Sequence, residues 1–456
     1  MDVQLRLRAF WDDLQSSLWY RPTIYTLLAI ALALINPYID QITKWEFYSF
    51  GADNARAVLT AIASSMLTVV TLTFSILMVS FTLASQQFSP RILRTFTRDR
   101  TSQHVLGLQI GTFLYSLLVM VRIHDVGETI FIPLISVLGA IGFSLVGIGA
   151  FVYFIDHISR SIRVNYVIAN IGEQTVTLLR EECSQTAGDE QQPAIPVRPA
   201  ALQEKSTPIK AKRAGYLQGI AYRRLVEIAH KHDLVLELAC MTGDFISVGR
   251  PVAHFYPAQE PSAELMENLL NQFDIGTERT MFEDTLFGIR QLVDIALRAL
   301  SPAVNDPTTA MNCLDYLTNI LIQAAACSDE SSSLCDEEGH VRLLAQRVGF
   351  AALVELAFNQ IRHYGSGDVL VDMRMIDALT EIAGATDDLQ RRALLWQHVS
   401  MVSRKASRKL DEAHDRQQIN ERIVAAARQM DYDPSEILLD PHALRQAQQT
   451  IAHVVE

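Results

Sequence analysis

The chain has 456 residues, 51 acidic against 39 basic side chains, and a formal net charge of −12. Residues 1–160 carry 11 basic and 10 acidic side chains, whereas residues 161–456 carry 28 basic and 41 acidic. So acidic a second part excludes broad nucleic-acid binding, which needs a basic surface, and no nucleic-acid partner is expected.

Four apolar segments near the start are predicted to span a membrane: residues 22–38, 57–85, 105–121 and 130–155. About 20 apolar residues cross a hydrocarbon core at ~1.5 Å per residue, so the second segment is longer than one crossing needs. From Ala57 to Pro90 it contains no Asp, Glu, Lys or Arg. Trp11, Trp19 and Tyr20 precede the first segment and fit an interfacial anchor. No small-residue cleavage pattern follows, and no cleaved signal peptide is expected.

Orientation follows from Lys and Arg in the flanks. The N-terminal flank carries Arg6, Arg8 and Arg21, and the first loop Lys44 and Arg56. The second loop carries Arg91, Arg94, Arg98 and Arg100, the third only Arg122, and the chain after the fourth segment opens with Arg160 and Arg163. The alternation 3, 2, 4, 1, 2 predicts both termini on the cytoplasmic side of the membrane. All five cysteines follow the fourth segment, so they are expected to be cytoplasmic and reduced, and no CxxC spacing suggests zinc.

The second segment carries a polar stripe. Ser64, Thr68, Thr71, Ser75 and Thr82 are spaced by 4, 3, 4 and 7 residues, which places them on one helical face. Uncharged hydroxyls of this kind line ion pathways. They also let helices approach closely and share hydrogen bonds. Both uses hold at once if copies of the helix surround an axis. Gly107 and Gly111, with Gly139, Gly142, Gly147 and Gly149, are close-approach signals for the third and fourth segments. Arg91, Arg94 and Arg98 share a face if the helix continues, and would contact anionic headgroups or concentrate anions at the pathway mouth.

Beyond the membrane part, 161–208 reads as an amphipathic helix followed by a Pro- and Gln-rich linker. Residues 209–257 form a small β-rich domain, with strands expected at 215–221, 234–240, 245–248 and 252–256. Gly243-Asp244 and Gly249-Arg250-Pro251 read as turns, and the hairpin between them resembles that of lipoyl-like barrel sandwiches. No lysine sits at a hairpin tip, so no attached cofactor is expected.

Residues 258–456 read as a helical domain, with helical stretches at 284–300, 308–326, 341–364, 369–385, 387–409 and 414–430. An acidic loop is expected at 328–338. Arg290, Asp294 and Arg298 fall at i, i+4, i+8 and are expected to form a structural ion-pair network. Glu283, Asp284 and Asp306 are the carboxylates an enzyme or metal site would use. No His lies near them in sequence, and there is neither a nucleophile motif nor a phosphate-binding glycine loop. His104, His124 and His157 are scattered at segment ends. No catalysis, metal or cofactor is expected.

The blocks ARAVLTAIASSMLTVVTLTFSILMVSFTLASQQFSPRILRTFTRD, IDHISRSI and RTMFEDTLFGIRQLVDIALRALSPAVNDPTTAMNCLDYL resemble the bacterial predicted membrane proteins grouped under domain of unknown function 2254. The resemblance implies four membrane helices and a cytoplasmic C-terminal region, and brings no activity with it. The sequence therefore points to a mainly α fold, with a four-helix transmembrane domain followed by a small β-domain and a helical bundle. The expected function is an oligomeric channel or transporter, with the bilayer, further copies of the chain and a small ion as partners. The alternative is a non-transporting membrane scaffold or sensor that signals through its cytoplasmic domain.

Overall fold

The computed structural model describes residues 17–43, 51–87, 99–126, 129–187, 205–258, 260–280, 284–327 and 332–439. The chain is mainly helical and divides into two compact units, residues 3–166 and residues 167–456. Arg91, Arg94, Arg98 and Glu283 lie outside the described residues.

The first unit holds α1 (Tyr20–Thr43), α2 (Ala52–Gln87), α3 (Arg100–Val121) and α4 (Leu134–Ser161). All four are long and apolar enough to cross a membrane. The 36 residues of α2 make it about 54 Å long at 1.5 Å per residue, against a hydrocarbon core of about 30 Å. Asp99 caps α3 by accepting hydrogen bonds from the Thr101 and Ser102 amides. The fourth helix starts later than 130. Residues His124–Val126 (β1) and Thr129–Phe131 (β2) pair antiparallel instead, and Pro133, with no amide hydrogen to donate to a ladder, stands at the N-cap of α4.

Glycines bring α1 against α3. A side chain at Gly107 would meet the Tyr25 ring and Pro22, and one at Gly111 would meet the Tyr25 carbonyl and Ala29. Gly139 lies against the Tyr115 hydroxyl and Gly147 against the Met66 sulfur. Gly142 and Gly149 have open space where a side chain would be, so among the described residues these two are not close-approach positions. Ala29, Ala33, Leu59, Tyr115, Val119, Val137 and Ala140 form the buried cluster joining the four helices.

The second unit begins with α5 (Val164–Ala187), most of which it contains. Strands β3 (Thr207–Lys210), β4 (Gly215–Ile220), β5 (Val235–Leu238), β6 (Phe245–Ile246), β7 (Pro251–Tyr256), β8 (Phe273–Gly276), β9 (Ser332–Cys335) and β10 (Val341–Ala345) follow. They build a five-stranded sheet of order β3-β7-β5-β10-β9 and a three-stranded sheet of order β6-β4-β8. The sheets sandwich a core that includes Ile209, Leu217, Leu236, Leu238, Phe255 and Phe273.

Three sequence expectations are corrected here. The segment 341–364 is not one helix: β10 takes its first residues and pairs parallel to β5. The loop at 328–338 contributes β9, which closes an antiparallel hairpin with β10. Helix α6 (Tyr222–Lys231) lies between β4 and β5, burying Leu225 and Ala229. The helix and the parallel β5–β10 pair set the region apart from the lipoyl-like pattern.

The remaining helices are α7 (Ala263–Leu270), α8 (Thr285–Ala299), α9 (Pro307–Ala325), α10 (Phe350–Gly365), α11 (Val369–Gly384), α12 (Leu389–Ala406) and α13 (Ala413–Met430). Their starts are written in the sequence: Asp284, Asp306, Asp368 and Asp388 each accept an amide hydrogen bond at an N-cap. Helix α8 packs against α9 and α10, and α11 packs against α9, α12 and α13. Gly243 adopts φ +92°, and a side chain there would strike Arg279 and Asp284, so the turn after β5 admits only glycine.

Candidate functional site

The five hydroxyl residues of α2 do share a face, and all five are exposed on the first unit. The opposite face, with Ala55, Leu59, Ala63, Met66, Thr73, Leu77, Ser80 and Ala84, is buried. The stripe is thus turned outward from its own four-helix unit. Each hydroxyl donates to its own helix: Ser64 to the Ala61 carbonyl (3.1 Å), Thr68 to Ser64 (3.0 Å), Thr71 to Leu67 (3.0 Å), Ser75 to Thr71 (2.8 Å) and Thr82 to Met78 (2.9 Å). Their hydrogens are satisfied without water, and oxygen lone pairs remain to face outward. Leu67, Leu72, Phe74 and Val79 are exposed beside them, so the polar stripe is flanked by apolar surface.

Polar groups also sit inside the unit. Asp40, buried near the end of α1, accepts from the Ile135 amide (2.7 Å), the Ser136 amide (3.2 Å) and the Ser136 hydroxyl (2.7 Å). It supplies the cap that Pro133 cannot give α4. Asn36 donates to the Tyr115 hydroxyl (2.8 Å), which donates to the Ser136 carbonyl (3.1 Å). Buried Thr73 donates to Gln109 Oε1 at 3.0 Å. An acidic residue closing an apolar segment was the available signal for Asp40.

At the other end of these helices Arg21 and Tyr25 both contact the His104 ring, and His157 Nε2 lies 3.0 Å from Asp99 Oδ1. These histidines bind their neighbours rather than one another. The side chain of His124 lies outside the description.

In the second unit Asp284 and Asp306, two of the three carboxylates named from the sequence, head helices. Asp284 pairs with Arg279 at 2.5 and 2.9 Å and caps α8, while Asp306 caps α9 through Thr309. Burial raises the Asp284 carboxyl above its usual range, and the Thr309 hydroxyl holds Asp306 below it. They serve two separate helix starts. Arg290 donates to Gln360 Oε1 at 3.1 Å, joining α8 to α10, and Arg298 stands in the last turn of α8, where its charge complements the helix dipole. A further ion-pair network centres on Arg374 of α11, with Asp315 (2.5 Å) and Glu381 (2.7 Å).

His230, Asp336 and Glu338 are close enough together to suggest a metal site. Asp336 already accepts from Arg342 Nε (2.7 Å), faces His230 Nδ1 (2.9 Å) and accepts from the Glu338 and His340 amides. Burial opposes its charge, but the Arg342 and His230 hydrogen bonds outweigh that and hold its carboxyl below the usual range. A guanidinium in the cluster supplies the positive charge a cation would bring, and the group fits a hairpin staple better than a metal centre.

Helix α5 is bound into the second unit at several points. Gly172 lies against Tyr316 and Gly288 against Thr175, so two glycines let α5 meet α9 and α8 closely. Thr285 donates to Glu182 Oε1 at 2.8 Å and Arg347 to the Glu182 carbonyl at 2.5 Å. Burial raises the Glu182 carboxyl. Cys183 and Cys327 form a disulfide with 5.8 Å between their Cα atoms. In this structure two of the five cysteines expected as reduced thiols are therefore joined, and three remain free. The two residues are 144 positions apart, and only the docking of α5 on α9 brings them together.

Four apolar helices, each with a long stretch free of charged side chains and the second with the longest, and a large acidic second unit define an integral membrane protein. The sequence matches the family described as predicted membrane protein (DUF2254) over residues 15–381, and the chain belongs to that family. It is 30% identical to an uncharacterized protein of Mycobacterium bovis over 436 residues, covering 93% of this chain and 82% of the relative. Uncharacterized proteins from two strains of Mycobacterium tuberculosis match with the same identity and coverage. No solved structure matches.

Proposed function

We propose that the chain is a subunit of a homo-oligomeric channel of the bacterial inner membrane, non-enzymatic, with both termini in the cytoplasm. Its pathway runs between copies, along Ser64, Thr68, Thr71, Ser75 and Thr82 of α2. The observation that carries this is the outward exposure of all five on one face of the unit. A row of lone pairs turned away from the unit's own core is best solvated by water or ions in a space enclosed by neighbouring copies. Closed rotational symmetry is the usual form of such assemblies. Arg91 and Arg94 would sit at the inner mouth and bias it toward anions.

The scaffold reading is favoured by one observation: the hydroxyl hydrogens are already bound within α2, so a dry contact between copies leaves no donor unpaired. Ion flux through purified protein in liposomes separates the two. Thr71→Leu and Ser75→Leu are expected to cut flux while leaving the assembled mass in mild detergent unchanged. No flux under voltage or tension, with Thr71→Leu indistinguishable from wild type in cells, would give the scaffold reading precedence.

A further inference from the structure

We propose that Cys183 and Cys327 are a reversible redox pair that latches the end of α5 to the end of α9. The inference goes beyond the channel reading but rests on its cytoplasmic placement of the second unit. In that compartment thiols are kept reduced, and a disulfide that does form is characteristically transient. A permanent staple does not suit the position; a switch does.

Three features of the surroundings fit a switch. The first is access. Cys183 and Cys327 are half-buried, whereas Cys240 and Cys313 are buried and burial pushes their thiols up, Cys240 to about 12. Raised, enclosed thiols are poor nucleophiles, so oxidation would fall on the half-buried Cys183, Cys327 and Cys335, of which the first two stand within bonding distance of each other.

The second is electrostatic. Arg391 donates to the Cys327 carbonyl at 2.8 Å and to the Ala325 carbonyl at 2.6 Å, and Arg347 donates to the carbonyl of Glu182, next to Cys183. Arg180, one turn before Cys183, reaches Gln323, one turn before Cys327. These three guanidiniums bring positive charge to the two helix ends, opposite in sign to Glu181 and Glu182 beside Cys183, and positive charge near a thiol favours the thiolate form that exchange requires.

The third is redundancy. With the bond open, α5 is still held by Thr285 on Glu182, Arg347 on the Glu182 carbonyl and the close contacts of Gly172 and Gly288. The unit stays folded in both states, and only the last turn of α5 gains or loses its tether.

The chemistry balances with a low-molecular-weight disulfide as oxidant. One thiolate of the pair attacks it, forming a mixed disulfide and releasing one small thiolate. The other cysteine, as thiolate, then attacks the protein sulfur of that mixed disulfide. The Cys183–Cys327 bond forms and the second small thiolate leaves. Two electrons pass from the pair to the small disulfide, and the two thiol protons go to solvent or to the released thiolates. Excess small thiol reverses both steps.

The test uses the full-length protein in its own membranes. Cells are quenched in acid, the protein is denatured, and free thiols are tagged with a maleimide polymer that shifts gel mobility once per cysteine. Untreated cells are expected to show all five thiols tagged. Diamide, which turns the cell's small thiols into disulfides, is expected to leave three, and dithiothreitol to restore five. Cys183→Ser should show no diamide-dependent loss.

Three tags in untreated cells would overturn both the latch and the cytoplasmic placement. Five tags after diamide would overturn the latch and leave the placement standing. In purified protein, amide hydrogen exchange over the last turn of α5 should be several-fold slower in the disulfide form than in the reduced form or in Cys183→Ser. Equal exchange would mean that the bond tethers nothing.

Discussion

On α2, Leu67 is 51% exposed, Phe74 47% and Val79 59%, while on α10 and α11 Phe358, Val371 and Ile376 are fully buried. The same residue types face outward in one unit and inward in the other. Water drives the second arrangement, because apolar area removed from it is worth about 25 cal/mol per Å². In lipid that drive is absent between helices, and close packing and hydrogen bonds take its place. The first unit accordingly relies on glycine contacts between α1 and α3 and on a polar group, Asp40, turned inward to cap α4. Its internal polar groups order the helices, and in the second unit the apolar core does.

That contrast can be broken by substitution. The largest effect is expected from Phe358→Ala in the helical part of the second unit, where loss of a fully buried ring should cost about 3–5 kcal/mol, read by thermal unfolding of that unit. A cost below about 1 kcal/mol would mean that α10 and α11 are not a water-driven core.

A titrating group should come next. Asp372 is buried at the start of α11; its Oδ2 accepts from the Gly367 amide at 3.2 Å, and its Oδ1 has no hydrogen-bond partner among the described residues. Burial pushes its carboxyl up to about 7, against the attraction of Lys405 and Lys409. The folded unit therefore holds the proton that the unfolded chain releases above its ordinary value of 3.8. This contribution is fully present below that value and is lost as pH rises to about 7, at about 1.4 kcal/mol for each unit of separation. Asp372→Asn is expected to flatten the pH dependence across that window and to stabilise the unit above pH 7. Denaturation midpoints at a series of pH values check it, and an unchanged slope would refute it.

In the membrane unit Asp40→Ala would orphan the amides of Ile135 and Ser136, at about 1–3 kcal/mol for each donor left unpaired. Asp40→Asn, which keeps an acceptor, should lose less; thermal stability in detergent ranks the three proteins. The smallest effect is expected from Leu67→Ala, within about 0.5 kcal/mol, because its side chain faces out of the unit. A large loss there would reveal a packed neighbour and so sharpen the case for assembly through α2.

Much of this organisation was legible in the residues. The charge-free run from Ala57 and the aspartates heading α8, α9, α11 and α12 are local signals, and local physics decides them. Other features depend on distant partners. Val341–Ala345 carries apolar residues at spacings that also suit a helix, and only pairing with β5 and β9 makes it a strand. Nothing near Cys183 in sequence announces Cys327, and the Ser/Thr stripe shows its face but not what lies opposite it.

Asp40 bears on how the protein is made. Its partner Ile135 lies 95 residues further along the chain, beyond two more membrane helices. A ribosome delivers α1, α2 and α3 before any amide of α4 exists. The cap is therefore among the last contacts to close during biogenesis, and until then the carboxylate must stay with water at the bilayer surface. Arrival of the fourth helix completes the packing and also takes the first helix's acidic end out of solvent.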